Sequence, residues 1–200
     1  GAEALLVVAQ RLANPADPLA AVLERLDVVV MPRANPDGAL LAQRRNAAGL
    51  DPNRDHLRMA SPEAAAIAAL MQGLRPVLVA DLHKYPALGG YVARLGALKR
   101  HDLLVQGSGT PNLPPAIAAA TEAWLRQPLA AALDAAGISH DWYHVHPAVA
   151  AADAPPTFSM GGLSPGLARN AAALRHAPTL LIESRGLDLG RLHLQRRVHS

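Results

Sequence analysis

The stretch PVLVADLH, residues 76–83, decides the fold. It is short and mostly apolar, and this pattern is typical of a strand that is buried on both faces. A second run of the same kind, PTLLIESRG, covers residues 178–186. We expect two further strands, a buried one at DVVVMP, residues 27–32, and a short one within SHDWYHVHP, residues 139–147.

Helical patterns lie between these strands. Ser61 and Pro62 are a typical N-cap and first helical residue, and they predict a helix over residues 61–74. Further helices are predicted over residues 2–13, 18–26, about 114–137, and 166–176. Strands that alternate with helices predict an α/β fold, in which helices flank a largely parallel or mixed central sheet. We expect a single domain over residues 1–200.

Composition excludes several classes of function. The formal net charge is only +3, and the basic residues are dispersed, so we expect no nucleic-acid partner. No run approaches the roughly 20 apolar residues of a membrane span. The chain has no cysteine, so any metal would need His and carboxylate ligands. Neither the oligomeric state nor the compartment follows from these features.

Polar residues follow the predicted strands, at the edge where open α/β sheets bind their ligands. His83 ends one strand, and a neutral imidazole is a natural ligand for Zn²⁺, although a strand-end histidine is more often structural. Glu183 ends another, where burial would raise its pKa towards that of a useful general base. The alternative for Glu183 is an ion pair with the neighbouring Arg185.

The loop between residues 33 and 56 supplies further candidates. Asn53 and Arg54 could clamp a carboxylate with an amide donor and a guanidinium fork, although Asn and Pro also favour turns. Arg44 could stabilise a developing oxyanion or be a solvated surface charge. Residues 35–38 are interpreted as a turn without a catalytic role.

Five blocks carry a resemblance: NPDG, RRN, GLDPNRD, VADLH and LLIESRG, in this order. Together they resemble the zinc carboxypeptidases of the M14 type, which include carboxypeptidase A-like enzymes and bacterial relatives. The resemblance implies that His83 is one of three protein ligands of a single zinc ion and that Glu183 is the general base. It also implies that Arg44 stabilises the oxyanion, and that Asn53 and Arg54 hold the terminal carboxylate of the substrate.

Two departures limit the resemblance. The family takes its other two zinc ligands from an H-x-x-E motif, and no such motif occurs in the 200 residues. We therefore expect these two ligands upstream of Gly1, in an N-terminal part of the domain that the chain lacks, and we expect the chain to be inactive by itself. The family's tyrosine before the catalytic glutamate has no counterpart in residues 147–182, which leaves Tyr143 as a distant candidate. The pair His144 and His146 matches no block and is not expected to bind metal.

The resemblance leaves the substrate open. A metallocarboxypeptidase would hydrolyse a C-terminal peptide or amide bond, whereas a deacylase of the aspartoacylase or succinylglutamate desuccinylase type would act on N-acyl amino acids. Both substrates carry a free carboxylate. A third alternative is a non-catalytic module that binds carboxylates. By analogy with bacterial relatives, a periplasmic or secreted location is preferred to a cytoplasmic one.

Overall fold

A computed structural model describes residues 1–88, 90–145 and 157–187 of the chain. The helices are α1 (Ala2–Ala13), α2 (Pro36–Leu40), α3 (Pro62–Leu74), α4 (Gly90–Leu95), α5 (Pro115–Thr121), α6 (Gln127–Ala135) and α7 (Ala168–Leu174). The strands are β1 (Val79–Pro86), β2 (Leu103–Gln106), β3 (His140–Trp142) and β4 (Thr179–Leu187). Within the described ranges, no helix is both long and apolar enough to cross a membrane.

The four strands form one sheet in the order β1-β4-β2-β3. β1 and β4 pair in parallel, β2 runs antiparallel to β4, and β3 is parallel to β2. The sheet is therefore mixed, and helices flank it, so the predicted fold class is confirmed. The long strands β1 and β4 overlap the two predicted runs at 76–83 and 178–186, and β3 lies within the run at 139–147. Both long strands continue past the predicted site residues, so His83 and Glu183 lie within their strands and not, as the sequence had predicted, at their ends.

One predicted strand is wrong, and one strand was missed. Residues 27–32 form no regular structure, and Val29 is 61% exposed. A β-branched run becomes a strand only where a neighbouring strand bonds its backbone, and no described strand lies beside this one. Strand β2, by contrast, has only four residues, too few for a period to be recognised.

The predicted helices are mostly confirmed. Ser61 caps α3 by accepting a hydrogen bond from the backbone N–H of Ala64, and Pro62 is its first residue. The stretch predicted as one helix from 114 to 137 consists of α5 and α6 joined by a π-helical turn, Glu122–Arg126. The segment 18–26 is a 3₁₀-helix, Pro18–Glu24, rather than an α-helix.

The core lies where α7 packs against β4 and β1. Its fully or nearly buried apolar side chains come from β2, β4 and the helix: Leu103, Leu104, Val105, Ala171, Ala172, Ala173, Leu180 and Leu181. Alanines on α7 let the helix backbone approach the sheet closely. The middle of β1 and of β4 thereby becomes the floor of a polar region described below.

Asn170 connects α7 to two loops and has no exposed surface. Its Nδ2 donates hydrogen bonds to the carbonyls of Gly162 and Ser164, and its Oδ1 accepts from Ser108 Oγ and the Gly109 N–H. Because donors and acceptors of the amide are all used, the side chain fixes the loop before α7 against the loop after β2.

We predict that Asn170→Ala lowers the free energy of unfolding by about 2 to 4 kcal/mol, because buried backbone groups lose their partners. Chemical denaturation measures the change. Asn14→Ala is the matched control, since Asn14 is exposed and its Oδ1 accepts a bond only from the nearby Ala16 N–H. A loss of under about 0.5 kcal/mol for Asn170→Ala would contradict the anchoring role.

Candidate active site

The parallel register of β1 and β4 places His83 directly opposite Glu183. Paired residues of neighbouring strands project to the same face of a sheet. His83 and Glu183 are therefore neighbours in the sheet, although they are 100 positions apart in the sequence. Glu183 also pairs with Leu104 of β2, so strands flank it on both sides.

Asp81 orients the His83 ring. Asp81 and His83 are two residues apart on β1 and so share a face, and Asp81 Oδ1 lies 2.9 Å from His83 Nε2. Burial of the imidazole lowers the pKa of His83, but the hydrogen bond to Asp81 and the charges of Asp81 and Glu183 outweigh it, and the pKa is raised overall. Nε2 is thus held as the protonated nitrogen.

Glu183 is a buried carboxyl group that is only 8% exposed. Burial raises its pKa, and the charges of His83, Lys99 and Arg169 only partly offset that effect. Among the described residues, Oε2 has no hydrogen-bond partner. An ion pair between Glu183 and Arg185 was the alternative expected from the sequence. Arg185 pairs instead with Asp102, with 3.0 Å between Nη2 and Oδ1.

Asn53 reaches the same place from the loop that precedes α3. Its Nδ2 lies 3.5 Å from His83 Nε2, and its Oδ1 accepts a 2.8 Å hydrogen bond from the backbone N–H of Ala168 at the start of α7. Gly166 allows this approach, because a Cβ at that position would lie 2.6 Å from the carbonyl oxygen of Arg54. The adjacent Arg54 is exposed, and its Nη1 donates to the carbonyl of Asn53.

Arg44 is fixed at the edge of the region by Asp51, with 2.6 Å between Nε and Oδ2. Its side chain is 61% exposed. Its charge is nevertheless close enough to oppose protonation of His83. The residues 35–38, predicted as a turn, begin the short helix α2, in which Asn35 accepts a bond from the Gly38 N–H. This capping role is structural, as expected.

Two further residues face the site. Tyr143, a distant candidate in the sequence, follows β3; burial and the charge of Glu183 raise its pKa, and the charges of Arg169, Arg54 and Arg44 oppose that shift. Arg169, on α7, was missed; it is buried and lies with its guanidinium 6.0 Å from the centre of the Tyr143 ring. No motif marks either residue; only the packing of α7 on the sheet brings them to the site.

The H-x-H pair has a structural explanation for its first member. His144 Nδ1 lies 2.9 Å from the carbonyl oxygen of Trp142, and its ring contacts those of Tyr91 and Phe158. His146 lies outside the described residues. The expectation that this pair binds no metal stays a prediction.

His83 meets the orientation requirement of a metal ligand. Its Nε2 is bonded to the Asp81 carboxylate, which leaves Nδ1 as the nitrogen that could bind a metal. A metal-ligating histidine commonly donates its second ring N–H to a carboxylate in this way. Within the described ranges, no three His, Cys, Asp or Glu side chains are grouped so that they could hold a metal ion. A catalytic zinc has three protein ligands as a rule, and His83 is the one candidate ligand among the described residues.

The two remaining ligands were expected upstream of Gly1, and this expectation stays a prediction because the chain starts at that residue. The structure does show where Gly1 lies. A Cβ at Gly1 would be 3.1 Å from the carbonyl oxygen of Leu82, the residue before His83. Gly1 therefore lies against β1, beside the backbone of the residue that precedes His83.

Known proteins resemble the chain in sequence and in structure. The family model for zinc carboxypeptidase matches residues 1–61, which include Arg44, Asn53 and Arg54. Carboxypeptidase 2 of Trichophyton rubrum is 28% identical over 200 residues, and that of Trichophyton tonsurans is 27% identical. The sequence is thus similar to those of zinc carboxypeptidases. Each alignment covers 100% of this chain but 37% of the fungal protein, so the chain spans little more than a third of their length.

A solved structure supports the same relation. The metallo-carboxypeptidase from Pseudomonas aeruginosa in complex with (2-guanidinoethylmercapto)succinic acid superposes with a TM-score of 0.63 and is 25% identical. The alignment covers 92% of this chain and 44% of that protein. The chain thus has a fold similar to that of this metallo-carboxypeptidase over 92% of its length.

We predict that Asp81→Asn, studied with a chelator present, lowers the free energy of unfolding by about 1.5 kcal/mol at pH 5 and by less at pH 8.5. The raised pKa of His83 means that its charged hydrogen bond contributes fully below pH 6.5 and is lost as the pH rises through the folded-state value. Chemical denaturation at the two pH values measures the difference.

The matched control is Asp134→Asn. Asp134 lies 3.0 Å from His140 Nε2 but is 76% exposed, so its loss should cost under about 0.5 kcal/mol at both pH values. If Asp81→Asn cost as much at pH 8.5 as at pH 5, the charged bond to His83 would not be the source of the stabilisation.

Proposed function

We propose that the protein carrying this chain is a zinc-dependent carboxypeptidase, which hydrolyses the C-terminal peptide or amide bond of a substrate with a free carboxylate. The observation that carries the proposal is the pairing of a buried carboxyl group, Glu183, with His83, whose ring is oriented by Asp81. The relation to carboxypeptidases supports the reaction class.

Glu183 is proposed as the general base. A base works best when its pKa approaches the working pH, and burial shifts the pKa of Glu183 in that direction. Its Oε2, without a hydrogen-bond partner among the described residues, is available to take a proton from the attacking water and later give it to the leaving amine. His83 Nδ1 would hold the zinc, which when bound supplies Lewis-acid polarisation of the scissile carbonyl.

Asn53 and Arg54 are proposed to hold the terminal carboxylate. The hydrogen bond from Ala168 to Asn53 Oδ1 fixes the amide, so its Nδ2 is directed towards the side of His83. Arg54 forms no ion pair with any described carboxylate, so its exposed guanidinium can pair with the carboxylate of a substrate. Asn53 and Arg54 together would orient the scissile bond relative to Glu183.

Arg44 is proposed to stabilise the negative charge that develops on the carbonyl oxygen. Asp51 bonds only its Nε, which leaves both terminal nitrogens without a partner among the described residues. A positioned guanidinium of this kind stabilises a tetrahedral oxyanion without having to reorganise during the reaction. Asp51 thereby acts as a positioning residue for Arg44.

The test is Glu183→Gln in the complete natural protein that carries this chain, loaded with zinc. The variant removes the proton acceptor but keeps the shape, so we expect the rate of peptide hydrolysis to fall by about 10²- to 10⁴-fold while zinc content is unchanged. Hydrolysis of blocked dipeptides and metal analysis measure the two quantities. A parallel panel of N-acyl amino acids separates peptidase from deacylase activity.

The matched control is Glu24→Gln, because Glu24 is exposed on the 3₁₀-helix and should leave the rate unchanged. A Glu183→Gln enzyme with more than about a tenth of the normal rate would refute the assigned base. Absence of hydrolysis of every peptide by the zinc-loaded natural protein would refute the carboxypeptidase assignment itself.

A further inference from the structure

Arg169 is a buried cation that the proposed mechanism does not use. It lies at the start of α7 and is 5% exposed. Its Nη2 donates a 2.9 Å hydrogen bond to the carbonyl of Gly162, whereas its Nε is buried without a partner among the described residues. It also forms no ion pair with any carboxylate that the structure describes. Burial lowers the pKa of Arg169, and the nearby charges of Asp81 and Glu183 oppose that shift only in part. Burial of a guanidinium without a bonded carboxylate is unfavourable.

A second unpartnered polar group lies beside it. Gln106 ends β2, is 7% exposed, and has an Oε1 without a hydrogen-bond partner in the described part of the chain. Gly161, with φ +85°, brings the loop backbone against both side chains. A Cβ at residue 161 would lie 2.9 Å from Arg169 Nη2, 2.9 Å from Tyr143 Cε1 and 3.1 Å from Gln106 Oε1. Arg169 and Gln106 therefore lie against the same loop residue, beside Tyr143.

Arg169 lies near the proposed catalytic groups. Burial raises the pKa of Glu183, and Arg169 is close enough for its charge to oppose that shift. The charges of Arg169 and Arg54 also oppose the rise in the pKa of the Tyr143 hydroxyl that its burial causes. The buried Arg169 thus lies near Glu183 and Tyr143, and the exposed Arg54 lies near Tyr143 and Arg169. Neither guanidinium pairs with a described carboxylate.

Loop anchoring does not explain Arg169. The Gly162 carbonyl that it bonds is also bonded by Asn170 Nδ2, and Asn170 holds Ser164 and the loop after β2 as well. The loop is therefore fixed without the guanidinium. Loop anchoring leaves two features of Arg169 unexplained, its buried positive charge and its unbonded Nε donor. An anionic ligand would neutralise the charge and accept a hydrogen bond from Nε.

We propose that Arg169, with Gln106, binds the side-chain carboxylate of a C-terminal glutamate or aspartate, while Arg54 holds the terminal carboxylate. This inference rests on the proposed function and adds the substrate class. Guanidinium and carboxylate form charge-assisted, often bidentate hydrogen bonds. The Gln106 amide exposes either its oxygen or its NH₂ by rotation about its last torsion, so it supplies a second donor to the same carboxylate.

The test uses blocked dipeptides that differ only in the C-terminal residue, which is glutamate, its uncharged isostere glutamine, or leucine. The complete natural protein should cleave the glutamate substrate with a kcat/KM about 10- to 100-fold above that of the glutamine substrate. Arg169→Gln should reduce this ratio to within about threefold of unity, which an equal loss of activity on every substrate would not do.

Two further variants control for folding. Arg169→Lys keeps a positive charge and should retain part of the preference for glutamate. Arg175→Gln is the matched control at the end of the same helix, since Arg175 Nη1 bonds only the Ala171 carbonyl and its loss should leave the preference intact. A natural protein that cleaves the glutamate and glutamine substrates equally well would overturn the proposal. So would an Arg169→Gln variant that loses glutamate and leucine hydrolysis to the same extent.

Direct binding distinguishes failure of this inference from failure of the carboxypeptidase assignment. If no peptide is cleaved, calorimetry with glutarate and butyrate still applies. The natural protein should bind the dicarboxylate at least about tenfold more tightly than the monocarboxylate, and Arg169→Gln should abolish that difference. Equal affinity for the two acids in the natural protein would overturn the role of Arg169 without reference to catalysis.

Discussion

The backbone pairing of β1 with β4 is the constraint on which the site depends. It sets His83 opposite Glu183, and Asp81 takes its position because it shares a face with His83. A slip of one residue in this register would turn every side chain of one strand to the other face. The pairing is protected because β4 also bonds β2 and because the alanines of α7 pack against it. The chemistry at the sheet edge is thus specified by apolar contacts beneath it.

The sequence predicts those parts of the fold whose pattern is local. Apolar β-branched runs predicted β1 and β4, and the cap at Ser61 predicted α3, because the causes lie within a few residues. Residues 27–32 have the same local pattern but no neighbouring strand, so the prediction was wrong there. In the site, the motifs predicted roles for His83 and Asn53, and the two side chains lie 3.5 Å apart, from His83 Nε2 to Asn53 Nδ2. Arg169 and Gln106 carry no motif, and only tertiary packing shows that they are buried and unpartnered.

The site concentrates buried charge at a cost to stability. Glu183 and Arg169 are both nearly inaccessible, and neither forms an ion pair with a described residue. Such groups are expected where binding or catalysis requires them, since an apolar core would be more stable. The close backbone approaches at Gly161 and Gly166 serve the same end, because a side chain at either position would displace Arg169 or the Arg54 backbone. A bound substrate would then supply hydrogen-bond partners for Glu183 and Arg169.

The state of the Glu183 carboxyl group tests this description most directly. Its pKa can be followed by ¹³C NMR of the side-chain carboxyl carbon in the metal-free protein, with Glu183→Gln to assign the signal. Burial and the lack of a partner on Oε2 among the described residues predict a pKa above the ordinary 4.5. A pKa at or below 4.5 would mean that Glu183 is solvated or paired, and that the sheet does not hold it as a base.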